Sequence, residues 1–183
     1  MSLPLVGQRC RVRPWTAEDL ESLVLHADNP RVSAQLRDIF PYPYTRDDGR
    51  RFLAFAAAQT PPTALTIEVA GRAVGGVGVT PGSGNERHTA EIGYWLGEAY
   101  WGRGIAAEAL SLMTAYASDT FALVRLQALP AASNQRSCRV LEKAGYVLEG
   151  TMRKSFMKQG VLHDQCLYAW VSDVSAPGAG MTA

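Results

Sequence analysis

The sequence predicts an α/β fold: a mixed, mostly antiparallel sheet of about seven strands with helices on both faces. Two observations predict it. Strand patterns follow one another without a long crossover in the middle of the chain, which favours antiparallel pairing. A strand–helix–strand stretch then spans residues 91–129, which favours one parallel crossover. The 183 residues suit a single domain, which we place at residues 1–172, with a flexible tail at 173–183.

The first third of the chain combines one strand with helices. Residues 8–15 alternate between apolar and charged side chains, which predicts a half-buried strand. Thr16 and Thr45, each with an aspartate three residues later, form capping-box patterns typical of helix starts. Two prolines within residues 40–44 exclude a regular helix there and predict a loop rich in aromatic residues. The predicted helices are residues 17–27, 31–37 and 51–59.

The rest of the chain predicts six strands and two helices. Residues 64–69 and 73–79 are runs with strand character joined by a short glycine turn, which indicates a hairpin. Residues 146–156 and 161–170 form a second, closing hairpin. The remaining elements are strands at 88–96 and 125–129 and helices at 104–120 and 134–144.

Composition excludes several classes of protein. Lys and Arg total 18 against 17 Asp and Glu, which is not the basic excess of a nucleic-acid binder. No apolar run approaches the ~18 residues of a membrane span. The first 13 residues lack the apolar segment of a signal peptide, so we expect a cytoplasmic protein. Three dispersed cysteines and three histidines without ligand spacing predict no metal site.

The stretch at residues 91–110 carries the strongest chemical signal, because it combines a strand, a glycine-bearing turn and a helix start. Gly102 and Gly104 allow the backbone to approach a ligand closely. The following helix would present free N–H groups and the positive end of its dipole, which suit a phosphate. The stretch lacks the full glycine pattern of dinucleotide-binding folds. A tight connection without a ligand is the competing interpretation of Gly-x-Gly.

Several motifs in order resemble the GNAT superfamily of N-acetyltransferases. Residues 101–106, Trp-Gly-Arg-Gly-Ile-Ala, with Glu108 and Ala109, look like that family's acetyl-CoA pyrophosphate loop. Asn134 and Ser137, followed by Gly145-Tyr146, are also similar. Asp164 with Tyr168 resembles the Rim-type branch, the ribosomal-protein N-terminal acetyltransferases and their relatives. The resemblance covers residues 8–170.

The resemblance implies a sheet splayed at its fourth and fifth strands, with acetyl-CoA as cosubstrate in the opening. The pantetheine arm would pair with the backbone of Trp95 and Leu96, and the pyrophosphate would meet the loop amides. Asn134 would reach the pantetheine arm, and Arg103 or Arg139 would meet the adenosine phosphates. The implied cofactor-binding residues are Trp95, Leu96, Trp101, Gly102, Arg103, Gly104, Ile105, Ala106, Asn134 and Arg139.

The catalytic assignments follow from the same resemblance. Many family members carry a tyrosine as general acid seven residues after the asparagine, where this chain has Leu141. Ser137 is therefore the candidate acid, although a helix serine can simply bond back to a carbonyl. Glu91, at the start of the fourth strand, is the candidate base that takes the amine proton through water. A strand-end surface charge, or a carboxylate bound to an arginine, is the competing interpretation of Glu91.

We therefore expect direct transfer of acetyl from acetyl-CoA to a primary amine. A protein N-terminal α-amine is favoured because its pKa, near ~7.7–8.0, leaves far more free base at neutral pH than a lysine pKa near ~10.4. The alternatives are a small-amine or antibiotic acetyltransferase, a non-catalytic acyl-CoA-binding module, and a domain with an empty cleft. The resemblance also implies that a homodimer is plausible.

Overall fold

The computed structural model describes residues 1–173. Its strands are β1 (Leu5–Val6), β2 (Arg11–Pro14), β3 (Ala64–Val69), β4 (Arg72–Pro81), β5 (Thr89–Leu96), β6 (Arg125–Ala128), β7 (Val147–Lys158) and β8 (Val161–Val171). Its helices are α1 (Leu20–Ala27), α2 (Pro30–Ser33), α3 (Arg46–Ala57), α4 (Ile105–Phe121) and α5 (Gln135–Lys143), with short 3-10 turns at Ala17–Asp19, Gly84–Glu86 and Glu98–Tyr100.

One mixed sheet of eight strands forms the framework, in the order β1-β2-β3-β4-β5-β6-β8-β7. The pairing of β5 with β6 is parallel and every other pairing is antiparallel. The predicted fold class is therefore confirmed. The count of seven strands is one short, because β1 is a two-residue strand paired with β2 across a turn that holds Gly7 against Cys10. Two apolar residues are too few to give a periodic signal.

The sheet separates two apolar cores, with helices on both faces as predicted. Helices α1 and α3 cover one face, with Leu23 and Leu53 packed against Trp15. Helices α4 and α5 cover the other, where buried residues of α4 recur every three or four positions. That spacing turns one stripe of a 17-residue helix toward the strands.

The splay between β5 and β6 is also present. Their pairing lasts for three residues and ends where Glu91 faces Gln127. Strand β5 then continues through Ile92–Leu96, still paired with β4 on its other side. Strand β6 ends at Ala128, so the last five residues of β5 have an open edge. That edge is where the site is built.

Several predicted boundaries are wrong. The helix expected at 31–37 is one turn, Pro30–Ser33, capped by Asn29. The helix expected at 51–59 is Arg46–Ala57, and it begins directly after its N-cap Thr45, whose capping box with Asp48 the sequence did reveal. The strand expected at 8–15 is Arg11–Pro14, since residues before it form the turn. Residues 174–183 of the predicted tail lie outside the described part of the chain. Within residues 1–173, no helix is both long and apolar enough to cross a membrane.

Candidate active site

The open edge of β5 leads into a cleft of about 810 Å³. Its walls are the end of β5, the loop that joins β5 to α4, the first turn of α4, and α5 with the turn before it. All ten predicted cofactor-binding residues line it, and so does Ser137. Residues spread over more than forty positions of the sequence are thus brought together around one opening. A concave site of this size suits an extended organic ligand.

The loop before α4 is shaped by two left-handed glycines. Gly102 has φ of +76° and Gly104, which precedes the helix, has φ of +77°. Residues with a Cβ rarely adopt this conformation, which explains glycine at both positions. Within residues 1–173, the N–H groups of residues 102–107 have no protein acceptor. The turn therefore aims a row of free donors, at the positive end of a 17-residue helix, into the cleft.

Glu108 fixes the start of α4 to the β1–β2 turn. Its carboxylate accepts the N–H groups of Gln8, Arg9 and Cys10 at 3.0, 2.7 and 3.0 Å. Burial acts to raise the pKa of Glu108, but these bonds outweigh it and hold the pKa below the usual value. The same turn brings the Arg9 side chain beside Gly104, where a Cβ would lie 3.3 Å from Arg9 Nε.

The rim of the cleft is basic. The Arg103 guanidinium lies over the Tyr100 ring, and that of Arg136 lies over Trp101, 5.6 and 5.5 Å from the ring centres. Arg139 and Lys143 line the same side. Arg136 and Lys143 are not among the predicted residues. Each lies about one helical turn from Arg139 on α5. The helical periodicity of α5 is the signal that would have revealed them.

The backbone of β5 changes the expected role of Trp95. Gly97 N–H donates to Val74 O on β4 at 2.8 Å, and N–H and C=O groups alternate sides along a strand. Trp95 therefore turns its backbone groups toward β4, while Tyr94 and Leu96 turn theirs toward the open edge. The Leu96 carbonyl accepts the Trp101 indole N–H at 2.7 Å. The backbone groups that this edge offers to an added strand are therefore those of Tyr94 and the N–H of Leu96.

A second cleft, of about 350 Å³, lies on the other side of the splay. It shares six lining residues with the first: Gln35, Leu36, Tyr94, Trp95, Asn134 and Ser137. The two clefts therefore meet between β5 and α5. Apart from the Arg37 and Glu91 pair, the second cleft is lined by uncharged residues, many of them apolar. Arg37 Nη2 lies 2.6 Å from Glu91 Oε1. Glu91 thus lies in the second cleft, as a carboxylate bound to an arginine.

Ser137 lies at the junction of the clefts, in the first turn of α5. Asn134 Oδ1 caps the helix by accepting Ser137 N–H at 3.1 Å, and the Asn134 amide lines both clefts. The Ser137 hydroxyl does not bond back to its own helix; Oγ lies 2.8 Å from Tyr94 Oη. Leu141, buried and apolar, lines the second cleft one turn later. Tyr94, which lines both clefts, is a residue of the site that the sequence did not single out.

The aromatic loop at residues 40–44 contributes one of its three aromatic residues to the second cleft. Phe40 lines it and stacks edge-on against Trp95, 5.7 Å between ring centres. Tyr44 is buried in the core beneath Phe40, and Tyr42 is exposed and outside both clefts.

The three cysteines are buried thiols. Burial and the bond to Glu108 raise the pKa of Cys10 to about 12, so it is not a thiolate at neutral pH.

Comparison with known proteins agrees with this architecture. The Bacillus subtilis protein called probable N-acetyltransferase YjcK is 43% identical over 81 residues, 44% of this chain and 45% of its own length. The Escherichia coli ribosomal-protein-serine acetyltransferase is 33% identical over 85 residues, 46% of this chain and 48% of its own. These matches span just under half of each curated relative.

Solved structures match over nearly the whole chain. An acetyltransferase of the GNAT family from Bacillus anthracis superposes with a TM-score of 0.81 at 23% identity, covering 92% of this chain and 98% of the other. RimL, a ribosomal L7/L12 alpha-N-protein acetyltransferase in complex with coenzyme A, superposes with a TM-score of 0.80 at 21% sequence identity. The superposition covers 92% of this chain and 97% of the RimL chain. Because the sequence identity is below 25%, these two solved structures establish the fold alone. The family defined by the acetyltransferase (GNAT) domain matches residues 9–147, and the chain belongs to that family.

Proposed function

We propose that this protein transfers the acetyl group of acetyl-CoA directly to a primary amine, and that the preferred amine is a protein N-terminal α-amine. One observation carries the proposal. Two clefts meet at Tyr94, Asn134 and Ser137, with free backbone donors along one cleft and a carboxylate, Glu91, in the other. A donor and an acceptor can therefore enter from opposite sides and react at the junction.

The larger cleft fits acetyl-CoA. The unpaired N–H groups of residues 102–107 suit the pyrophosphate, and Arg103, Arg136 and Arg139 supply guanidinium groups for further phosphate oxygens. The unpaired backbone groups of Tyr94 and the N–H of Leu96 suit the amides of the pantetheine arm, and Asn134 lines the same cleft. When bound, acetyl-CoA supplies an acetyl thioester, which an unprotonated amine can attack.

Glu91 is the proposed base. The acceptor amine must lose a proton as its nitrogen bonds to the thioester carbonyl carbon, and a carboxylate in the acceptor cleft can take that proton directly or through water. At pH 7.5 roughly a third of α-amines are already free base, against about one lysine in a thousand. A solvent-accessible carboxylate is therefore a sufficient base for α-amine acceptors, but it is a weak base for lysine acceptors.

Ser137 is the proposed acid. As the carbon–sulfur bond breaks, the leaving thiolate takes a proton, and the Ser137 hydroxyl is a proton-bearing group at the junction of the clefts. Leu141 has no proton to give. The tetrahedral oxygen that forms during attack can accept the backbone N–H of Leu96, one of the groups on the open edge of β5.

The choice of a protein N-terminus is supported by the relatives. A curated relative that matches the chain is named a ribosomal-protein-serine acetyltransferase, and RimL is named an alpha-N-protein acetyltransferase. The second candidate is a non-catalytic acyl-CoA-binding module, because Leu141 replaces the tyrosine that many family members use. A small-amine or antibiotic acceptor is the third. The homodimer stays a prediction, which sedimentation of the purified protein tests.

The test is a peptide acetylation assay read by mass spectrometry. One peptide carries a free α-amine and an internal lysine, and its matched control is the same peptide with a blocked N-terminus. We expect acetyl transfer to the first at its N-terminus and little to the second. Glu91→Gln should abolish most transfer while leaving CoA binding intact. Transfer to lysine or small amines alone would overturn the N-terminal preference. CoA binding without transfer to any amine would establish the binding module.

A further inference from the structure

Tyr94 and Ser137 form a hydroxyl pair where the two clefts meet. Tyr94 Oη lies 2.8 Å from Ser137 Oγ and 3.2 Å from the Ser137 carbonyl oxygen. The two residues reach this point from different elements, Tyr94 from the open end of β5 and Ser137 from the first turn of α5. Tyr94 and Ser137 each line the first and the second cleft, so the pair faces the space where donor and acceptor would react.

We propose that Tyr94 is a positioning residue for acetyl transfer, whose hydroxyl orients the Ser137 hydroxyl toward the leaving sulfur. The inference rests on the proposed function and deepens it. Tyr94 Oη can give its single proton either to Ser137 Oγ or to the Ser137 carbonyl oxygen. In the first arrangement, which the inference requires, the serine proton is not used within the pair and points elsewhere. The serine is then left with a free donor at the junction of the clefts. Tyr94 thereby compensates for Leu141, which offers no hydroxyl from the helix.

The chemistry of Tyr94 suits a donor. Tyr94 is half-buried, and this burial raises its pKa to about 12 although the bond to Ser137 acts in the opposite direction. Tyr94 therefore keeps its proton throughout the neutral range. The helix start is held as well, since Asn134 caps the Ser137 N–H. Side chain and backbone of Ser137 are thus both fixed before a ligand binds, as preorganised catalytic groups require.

A purely structural role is the alternative: the bond would only tie β5 to α5. The chain offers a matched control for it. Tyr146 Oη lies 2.7 Å from Thr114 Oγ1, is buried, and lines neither cleft. Tyr146→Phe therefore removes an equivalent hydroxyl–hydroxyl bond from a tyrosine that lines neither cleft.

The test is a double-mutant cycle on acetyl transfer to the N-terminal peptide. We expect Tyr94→Phe to lower kcat about tenfold or more, with KM for acetyl-CoA unchanged. Ser137→Ala should lower kcat at least as much, and the double variant should be no slower than Ser137→Ala, because the tyrosine acts through the serine. Tyr146→Phe should retain wild-type kcat. Melting with and without CoA checks that each variant folds and keeps its larger cleft.

Three outcomes would count against the inference. Wild-type kcat in Tyr94→Phe would overturn it, and so would losses that multiply in the double variant. Equal losses in Tyr94→Phe and Tyr146→Phe would assign the bond a structural role only. A wild-type protein that binds CoA but acetylates no amine would be a different result. It would refute the proposed function itself, before any variant is made.

Discussion

Arg37 Nη2 lies 2.6 Å from Glu91 Oε1, on the carboxylate to which an acceptor ammonium would bind under the proposed function. The Arg37 side chain is 56% exposed and belongs to the linker between α2 and α3, so it can move away without disturbing either core. Exposed ion pairs contribute about 0–1 kcal/mol. An incoming cationic amine can therefore replace Arg37 at little cost. Under the proposed function, Arg37 would therefore compete with the acceptor for Glu91.

Removing Arg37 tests that competition. In Arg37→Gln the Glu91 carboxylate is free, so we expect KM for a cationic acceptor to fall by a few fold while KM for acetyl-CoA stays the same. Steady-state kinetics with each substrate varied in turn measures both. Arg46→Gln is the control, because Arg46 forms a similarly exposed pair with Glu21 and lines neither cleft. A rise in acceptor KM would instead mean that Arg37 binds the acceptor.

Gly93 should determine how much room the acceptor has. It lies on β5 between Glu91 and Trp95, whose side chains share its face of the strand, and it lines only the second cleft. A Cβ there would meet no heavy atom within 4 Å, so Gly93→Val can fold and fill space. We expect acceptor turnover to fall at least tenfold with CoA binding retained.

Gly150→Val is the matched control for that substitution. Gly150 lies on β7, lines neither cleft, and also has open space at its Cβ position. Its activity should equal that of wild type. Unchanged acceptor kinetics in Gly93→Val would show that the acceptor does not bind against this part of β5.

The left-handed loop glycines should be required for CoA binding. In Gly104→Val the backbone has to leave φ of +77°, and the free N–H groups of the turn would then diverge. We expect the Kd for CoA, measured by calorimetry, to rise at least tenfold. Gly71→Val has the same strain, at φ of +75° in the β3–β4 turn, and should keep wild-type affinity. Both should lose about 1–2 kcal/mol of stability. Equal CoA affinity in the two variants would contradict the phosphate-loop assignment.

Glu108 should stabilise the fold in a pH-dependent way. Glu108→Ala leaves three backbone N–H groups without their acceptor, so we expect a loss of about 2 kcal/mol at neutral pH. Because the folded pKa lies below the ordinary value of 4.5, the contribution is complete above pH 4.5 and disappears as the pH falls through the folded pKa. Urea unfolding of both proteins at several pH values measures this. A difference that grows on acidification would refute it.

Local signals in the sequence predicted the framework. Capping boxes, prolines and glycine turns act within a few residues, so they revealed the caps at Thr16 and Thr45 and the glycine turn at Gly102 and Gly104. The start predicted for α3 was nevertheless wrong, because the helix begins at Arg46 and not at residue 51. The order of strands predicted a single parallel crossover. The residues of the cofactor loop followed from resemblance of a contiguous motif.

Local sequence signals did not predict contacts between elements that are distant in the sequence. Tyr94 looks in sequence like one more apolar position of a strand, and only the open edge of β5 brings its hydroxyl to Ser137. The ion pair of Glu91 with Arg37 was foreseen as a possibility but not with its partner, because Arg37 lies 54 residues earlier. The direction of Trp95 backbone groups depends on the register with β4, which no local pattern specifies.

Thermal melting with and without acetyl-CoA tests the central claim most directly, that the splayed cleft is an acyl-CoA site. A ligand at ~100 times its Kd stabilises the folded state by about 2.7 kcal/mol. For a domain of this size that corresponds to a rise in Tm of roughly 5–11 °C, at ~2–4 °C for each kcal/mol. The account predicts such a rise for the wild-type protein. No rise at millimolar acetyl-CoA would contradict it.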